Sequence, residues 1–248
     1  MRARLAQSTD KFLMMRAWAT HFYTSLGLVA SFLALIAAID GRARDVFVYL
    51  AVALFIDATD GFMARGWNVL RWTPQFDGRK LDDITDYLTY VFIPAYFAYR
   101  FELVSGPWAV VLLAVLLSSA YGFCSEAAKT EDNFFTGFPS YWNVVVFYMY
   151  VLRTSVPVNG AILFFLAVMV FVPIKYLYPS RTKFWQPLTI GLGVLWALAL
   201  LVLLIYIDNP PQWLAYASLL YIVYYFAVSF YLHFRDNPLP LPRPRRRN

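Results

Sequence analysis

The chain has 248 residues, 60% of them hydrophobic, with a mean hydropathy of +0.54 and a formal net charge of +6. That composition excludes a soluble globular domain and predicts an all-α, polytopic membrane helix bundle. In such a chain the positive charge points to topology and anionic headgroups rather than to nucleic acid. The one cysteine, Cys124, excludes an intrachain disulfide.

Residues 1–18 form a polar, basic N-terminus. Its stretch Lys11–Trp18 mixes basic and apolar side chains and predicts an interfacial amphipathic helix. A transmembrane domain follows over 19–235. Its apolar segments lie at 20–39, 46–65, 82–101, 107–128, 140–153, 158–177, 185–207 and 212–234. Most approach the ~20 residues that cross a bilayer as a helix, and the fifth is the shortest. About eight transmembrane helices are therefore expected. Pro157, Pro179 and the Pro210-Pro211 pair mark boundaries. The tail, 236–248, is Pro- and Arg-rich and is expected to lie disordered beside anionic lipid. With an even number of spans, only Arg42, Arg44, Arg100 and Arg153 fall on one side; every other Lys and Arg falls on the side of the two termini. The excess of Lys and Arg in cytoplasmic loops predicts a multi-pass protein with both termini in the cytoplasm.

Four acids interrupt the ends of the second and third segments on that same side. Asp57 and Asp60 are spaced i, i+3, and Asp82 and Asp86 i, i+4, so each pair shares a helix face. At mid-bilayer each charge would cost roughly 2.5–3.5 kcal/mol, about 10 kcal/mol for the set. Divalent cations, which take carboxylate oxygens, are the natural compensation. A blander alternative is a set of acidic helix ends. It accounts for Asp82 or Asp83 at a helix start, where the dipole favours negative charge. It does not account for Asp57 and Asp60 near a helix C-terminus, where the dipole opposes it. A metal site handling a phosphate or diphosphate fits better. Gly61 and Ala64 would leave the helix surface bare for a substrate, and Arg65 would offer a phosphate its planar fork of donors, or serve only as a topology anchor.

The full pattern is Asp57-x2-Asp60-Gly61-x2-Ala64-Arg65, a twelve-residue spacer, then Gly78-x3-Asp82-x3-Asp86. It resembles the signature of the CDP-alcohol phosphatidyltransferases, with all eight positions present. The spacer is longer than in most of that family. It resembles the bacterial branch that joins CDP-diacylglycerol to free choline, as do the stretches Asp132–Asn143 and Lys175–Thr182. The resemblance implies a bacterial inner-membrane enzyme that uses Mn2+ or Mg2+, with two ions. Asp57, Asp60 and Asp82 would be metal ligands, and Asp86 would complete the shell or act as general base toward the acceptor hydroxyl. Cytidine would lie beside Gly61 and Ala64, and CMP would leave.

A trimethylammonium headgroup is recognised by aromatic faces, sometimes with a carboxylate. Candidates at the same ends of later segments are Tyr121, Glu126, Tyr141, Trp142, Tyr176 and Tyr178, each equally compatible with ordinary packing. Glu126 has Lys129 as an alternative partner at i+3. Lys175 and Arg181 either grip the lipid diphosphate or anchor topology, Ser140 and Asn143 would complete the pocket, and His21 begins the first span on the side of the acids. The small residues Gly27, Ala30 and Ala34 offer a face for a homodimer. Two rivals stay open: the same chemistry with serine, inositol or glycerol phosphate as acceptor, and an ion-coupled transporter. Transporters of the latter kind place paired, mirrored sites at the membrane midplane, which the acid pattern does not show.

Overall fold

In a computed structural model, residues 2–125, 134–179 and 182–236 are described, with side chains from Asp10 onward. Helix α1 (Arg2–Ile39) turns at Asp40–Arg42 into an antiparallel α2 (Ala43–Gly66). No Gly or Pro interrupts the sequence between Lys11 and the first span, so α1 runs straight through. Lys11–Trp18 is thus the mostly exposed start of α1 and not a separate interfacial helix. A short α3 (Val69–Trp72) lies within the spacer.

The third apolar segment is one rod made of α4 (Gly78–Asp86), a π-helical stretch (Tyr87–Phe92) and α5 (Ile93–Arg100). Pro94 accounts for the π stretch. It has no N–H to donate, and its ring would strike the carbonyl four residues back, at Tyr90. The wider π turn absorbs both defects without breaking the rod.

A 3-10 turn (Gly106–Val110) leads into α6 (Val111–Cys124). Then follow β1 (Phe134–Thr136), α7 (Trp142–Leu152), α8 (Val156–Met169), β2 (Lys175–Leu177), α9 (Gln186–Ile205) and α10 (Gln212–Asp236). Among the described residues, five helical stretches are long and apolar enough to cross a membrane: Asp10–Ile39, Ala43–Gly66, Gly106–Cys124, Gln186–Ile205 and Gln212–Asp236. The α4–α5 rod adds a sixth apolar segment, and α7 and α8 are shorter.

The protein is a multi-pass helical membrane bundle. Small buried side chains such as Ala34, Ala37 and Ala38 sit beside large ones such as Phe97 and Trp142 in its interior, while Phe22, Phe55, Phe62, Leu117 and Trp213 point outward. An exterior of large apolar groups around a tight interior is what lipid as solvent demands.

Two expectations change at the acid-bearing end. The segment expected to be helical to residue 177 stops at Met169, because Pro173 disfavours helix at the residue before it and clashes one turn back. The chain then forms β2, which pairs antiparallel with β1: Phe134 opposite Leu177, Phe135 opposite Tyr176, Thr136 opposite Lys175. Gly137 closes this hairpin against α8. It sits at φ +77°, and a Cβ there would lie 2.2 Å from the Val170 carbonyl oxygen. Its N–H donates to Ile174 O at 2.9 Å, and Phe138 N–H donates to Met169 O at 3.0 Å, satisfying carbonyls at the frayed helix end.

The small residues of α1 are not a free face. A Cβ at Gly27 would lie 2.4 Å from the Thr85 methyl of α4, and Ala30 and Ala34 are buried. The stripe expected to serve a homodimer is consumed inside the chain, where it lets α4 approach α1.

Candidate active site

Asp57 comes from α2, and Asp82 and Asp86 from successive turns of α4. One carboxylate oxygen from each lies within 4.8 Å of the others, and all three residues are half-buried. Three hard oxygen donors at that spacing fit Mg2+ or Mn2+. Asp60 is outside this trio: it is buried beside Thr24 of α1. The structure therefore gathers three of the four acids expected as ligands.

The position of α4 explains the trio. Asp77 caps its first turn by accepting from Lys80 N–H at 3.1 Å. Gly78 lies under the His21 ring, where a Cβ would come within 2.9 Å of Cε1. His21 bonds Thr73 Oγ1 at 2.9 Å through Nε2 and packs on Phe76, with ring centroids 4.4 Å apart. His21 thus pins the spacer and the start of α4 to α1, a structural role for both His21 and Gly78. One turn beyond Asp86, Tyr90 donates its hydroxyl to Asp57 Oδ2 at 2.6 Å, tying α2 to the π stretch.

A cavity of about 230 Å3 opens beside the trio. Its acidic side is Asp57, Asp82, Asp83 and Asp86; its aromatic side includes Tyr90, Phe135, Tyr141 and Tyr178. Phe135 of β1 stacks on Tyr178, just past β2, at 4.5 Å and 25°, and meets Tyr141 edge-on at 6.4 Å. The cavity exists because α7 and α8 are short at this end. At 11 residues, α7 spans only ~16 Å of a ~30 Å hydrocarbon core. Pro139, Ser140 and Tyr141 before α7, and Val170 after α8, occupy the missing turns and line the cavity.

Of the expected headgroup residues, Tyr141 and Tyr178 line this cavity, and so does Ser140. Trp142 does not: it is buried, and its indole N–H donates to Ser119 Oγ at 2.7 Å. That oxygen also accepts from Ser140 Oγ at 3.0 Å, so the pair braces the wall that carries Tyr141. Tyr176 is fully buried against Tyr225, and burial pushes its phenol up to about 12, which keeps it neutral. Tyr121 is exposed and packs on Phe171, and Asn143 lies in α7 away from the cavity lining. Lys175 pairs with Asp236 at 3.7 Å and sits over the Phe134 ring, outside the cavity lining. Gly61, Ala64 and Arg65 continue α2 past the acids. The Arg65 guanidinium lies over Gly61, with Nη1 3.1 Å from where a Cβ would be, and none of the three lines the cavity. Glu126 and Arg181 lie outside the described residues.

Sequence reasoning missed Tyr90 and Phe135. Tyr90 follows Asp82 and Asp86 at the same four-residue interval, so extending that stripe by one turn would have reached it. Phe135 carries no local signal; only the β1–β2 pairing brings it to the site.

Eight signature positions on two neighbouring helices, α2 and α4, and a carboxylate trio opening on a cavity beside them, are the arrangement of an integral-membrane enzyme. No family model matches the chain. It is 41% identical over 187 residues to a phosphatidylcholine synthase of Pseudomonas aeruginosa, covering 74% of this chain and 78% of that one. Identity is 34% over 219 residues to the phosphatidylcholine synthase of Rhizobium meliloti, covering 88% and 90% of the two chains. It is 34% over 223 residues to that of Borreliella burgdorferi, covering 88% and 95%. The chain belongs to the bacterial phosphatidylcholine synthases of the CDP-alcohol phosphatidyltransferase family.

Proposed function

We propose that this enzyme transfers the phosphatidyl group of CDP-diacylglycerol to the hydroxyl of choline, releasing CMP. The observation that carries the reading is the cavity itself, where three carboxylates face an aromatic wall of Tyr90, Phe135, Tyr141 and Tyr178. Aromatic faces attract a quaternary ammonium, which has no N–H to offer. The carboxylates opposite add the charge complement and meet the hydroxyl at choline's other end.

Asp57, Asp82 and Asp86 would hold Mn2+ or Mg2+. When bound, the cation offsets charge on the diphosphate and on departing CMP. Asp86 takes the choline proton as the oxygen attacks the phosphorus that bears diacylglycerol. The bond from that phosphorus to the CMP oxygen breaks, and CMP departs with the electron pair. A positioned carboxylate base of this kind contributes typically 10²–10⁴-fold. Gly61, Ala64 and Arg65 form the nucleotide side, away from the acceptor cavity. The membrane is the bacterial inner membrane, with the acids and both termini in the cytoplasm, where free choline and CMP are handled.

The test is CMP release by purified enzyme with CDP-diacylglycerol and Mn2+, comparing choline, serine, inositol and glycerol phosphate, beside Asp86→Asn. Release with choline alone, lost in the variant, supports the reading. Release with another acceptor keeps the chemistry and removes choline.

A further inference from the structure

We propose that Tyr90 is a positioning residue for Asp57, fixing the orientation in which that carboxylate meets a divalent cation. The inference rests on the metal reading above and goes beyond it, since Tyr90 lies outside the signature that identifies the family.

The geometry is specific. Tyr90 is buried, and its hydroxyl oxygen stands 2.6 Å from Asp57 Oδ2, a short, charge-assisted hydrogen bond. The donor and the carboxylate come from different helices, 33 positions apart, so the bond sets how α2 presents its acid to the two acids of α4. A carboxylate held through one oxygen has its plane and its other oxygen fixed, and such outer partners commonly orient metal-ligating groups.

The backbone under Tyr90 is built for this. Tyr90 sits in the π stretch Tyr87–Phe92, which shifts the side-chain directions that a regular α-helix would give. Tyr87, three residues earlier, donates to Leu116 O of α6 at 2.9 Å. The two phenols therefore tie the π stretch to two different helices, one to α6 and one to α2 through Asp57. The Tyr90 ring also lines the acceptor cavity, 6.1 Å from the Tyr141 ring. One side chain thus serves both halves of the site: its hydroxyl holds the acid and its ring walls the headgroup space.

Tyr90→Phe separates these parts, because it deletes the hydroxyl and keeps the ring. The experiment is a Mn2+ titration, read by electron paramagnetic resonance, of wild type, Tyr90→Phe, Asp57→Asn and the double variant in lipid nanodiscs without substrate. Steady-state CMP release and thermal melts accompany it. Loss of an outer-shell partner typically costs 10–100-fold in metal affinity or activity. Tyr90→Phe should therefore weaken Mn2+ binding at least ~10-fold and lower kcat, with KM for choline within about threefold of wild type. Added Mn2+ should restore part of kcat. In the Asp57→Asn background the Tyr90 substitution should have no further effect on Mn2+ affinity, because its partner is already altered. Wild-type Mn2+ affinity in folded Tyr90→Phe, with only the melting temperature lowered, would make the hydroxyl a packing feature and overturn the proposal. Wild type that releases CMP yet binds no Mn2+ would overturn the metal reading, and this inference with it.

Discussion

Phe135→Leu isolates the aromatic wall from the carboxylates. The substitution keeps an apolar side chain of similar bulk on β1 and removes one of the aromatic groups lining the cavity. A cation over an aromatic face gains about 0.5–1 kcal/mol at exposed sites and about 2 kcal/mol when desolvated. Phe135 lines a partly open cavity, is half-buried, and is held in place by Tyr178 and Tyr141, so a value between those limits applies. One to two kcal/mol corresponds to an increase of roughly 5–30-fold in KM for choline. The same change also loses a ring stack, about 0.5–1.5 kcal/mol, but that appears in the hairpin's stability and not in choline selectivity. The assay separates them. CMP release is measured over a choline titration and again with 3,3-dimethylbutan-1-ol, the uncharged carbon isostere, as competitor. Wild type should prefer choline over the isostere, and Phe135→Leu should narrow that preference 5–30-fold with kcat little changed. Phe135→Tyr, which keeps the face, should behave like wild type. An unchanged preference in Phe135→Leu, or an equal loss in Phe135→Tyr, would refute the cation–aromatic reasoning.

Other consequences are open to measurement. Asp86→Asn should lower kcat at least about 100-fold while CDP-diacylglycerol binding persists, as read by calorimetry. Chelation with EDTA should abolish CMP release, and Mn2+ or Mg2+ should restore it, whereas Ca2+, larger and less exacting in geometry, should restore it poorly. Gly137→Ala puts a Cβ against the Val170 carbonyl at a positive φ. It should destabilise by about 1–3 kcal/mol, a fall of several degrees in melting temperature in detergent. Gly27→Val should lower the melting temperature and Mn2+ affinity together, because it drives Thr85, and with it α4, away from α1; the molecular mass in solution should not change.

The acids were legible in the sequence because helical spacing alone places them. Asp57 ends one apolar run, Asp82 and Asp86 begin the next, and antiparallel helices bring those ends together. Asp60 shows the limit of that logic. A residue three positions from Asp57 lies on roughly the same face, but about 60° around the helix, enough to direct Asp60 to Thr24 and α1 instead of to the trio. The aromatic wall was legible only in part. Tyr141 and Tyr178 lie at the ends of apolar segments, so span counting puts them at the acid end. Trp142 is the immediate neighbour of Tyr141, yet the first helical turn sends it to Ser119, and Tyr176, two residues before Tyr178, is buried against Tyr225 of α10. Hydropathy does not distinguish a helix that stops at Met169 from one that reaches residue 177. Pro173 does, and the cavity depends on it, since a full-length α8 would fill the space that the hairpin leaves open.

Charge at the two ends of the bundle bears on orientation in a way that counting residues does not capture. The four arginines away from the acid end are each engaged. Arg42 bonds Asp40 and Asp45, Arg44 bonds Asp208 at 2.7 Å, Arg100 donates to Ile39 O, and Arg153 donates to Asp208 O. Three of these contacts join separate helices: α5 to the end of α1, and the α9–α10 turn to α2 and to the end of α7. They serve as struts across the loops, and the nearby acids offset their charge. At the acid end, Arg65, Arg71, Arg79 and Lys80 crowd the hairpin between α2 and α4 on exposed positions. The stretch that carries the acid trio thus also carries a cluster of exposed basic side chains, the kind of segment that an anionic lipid surface attracts.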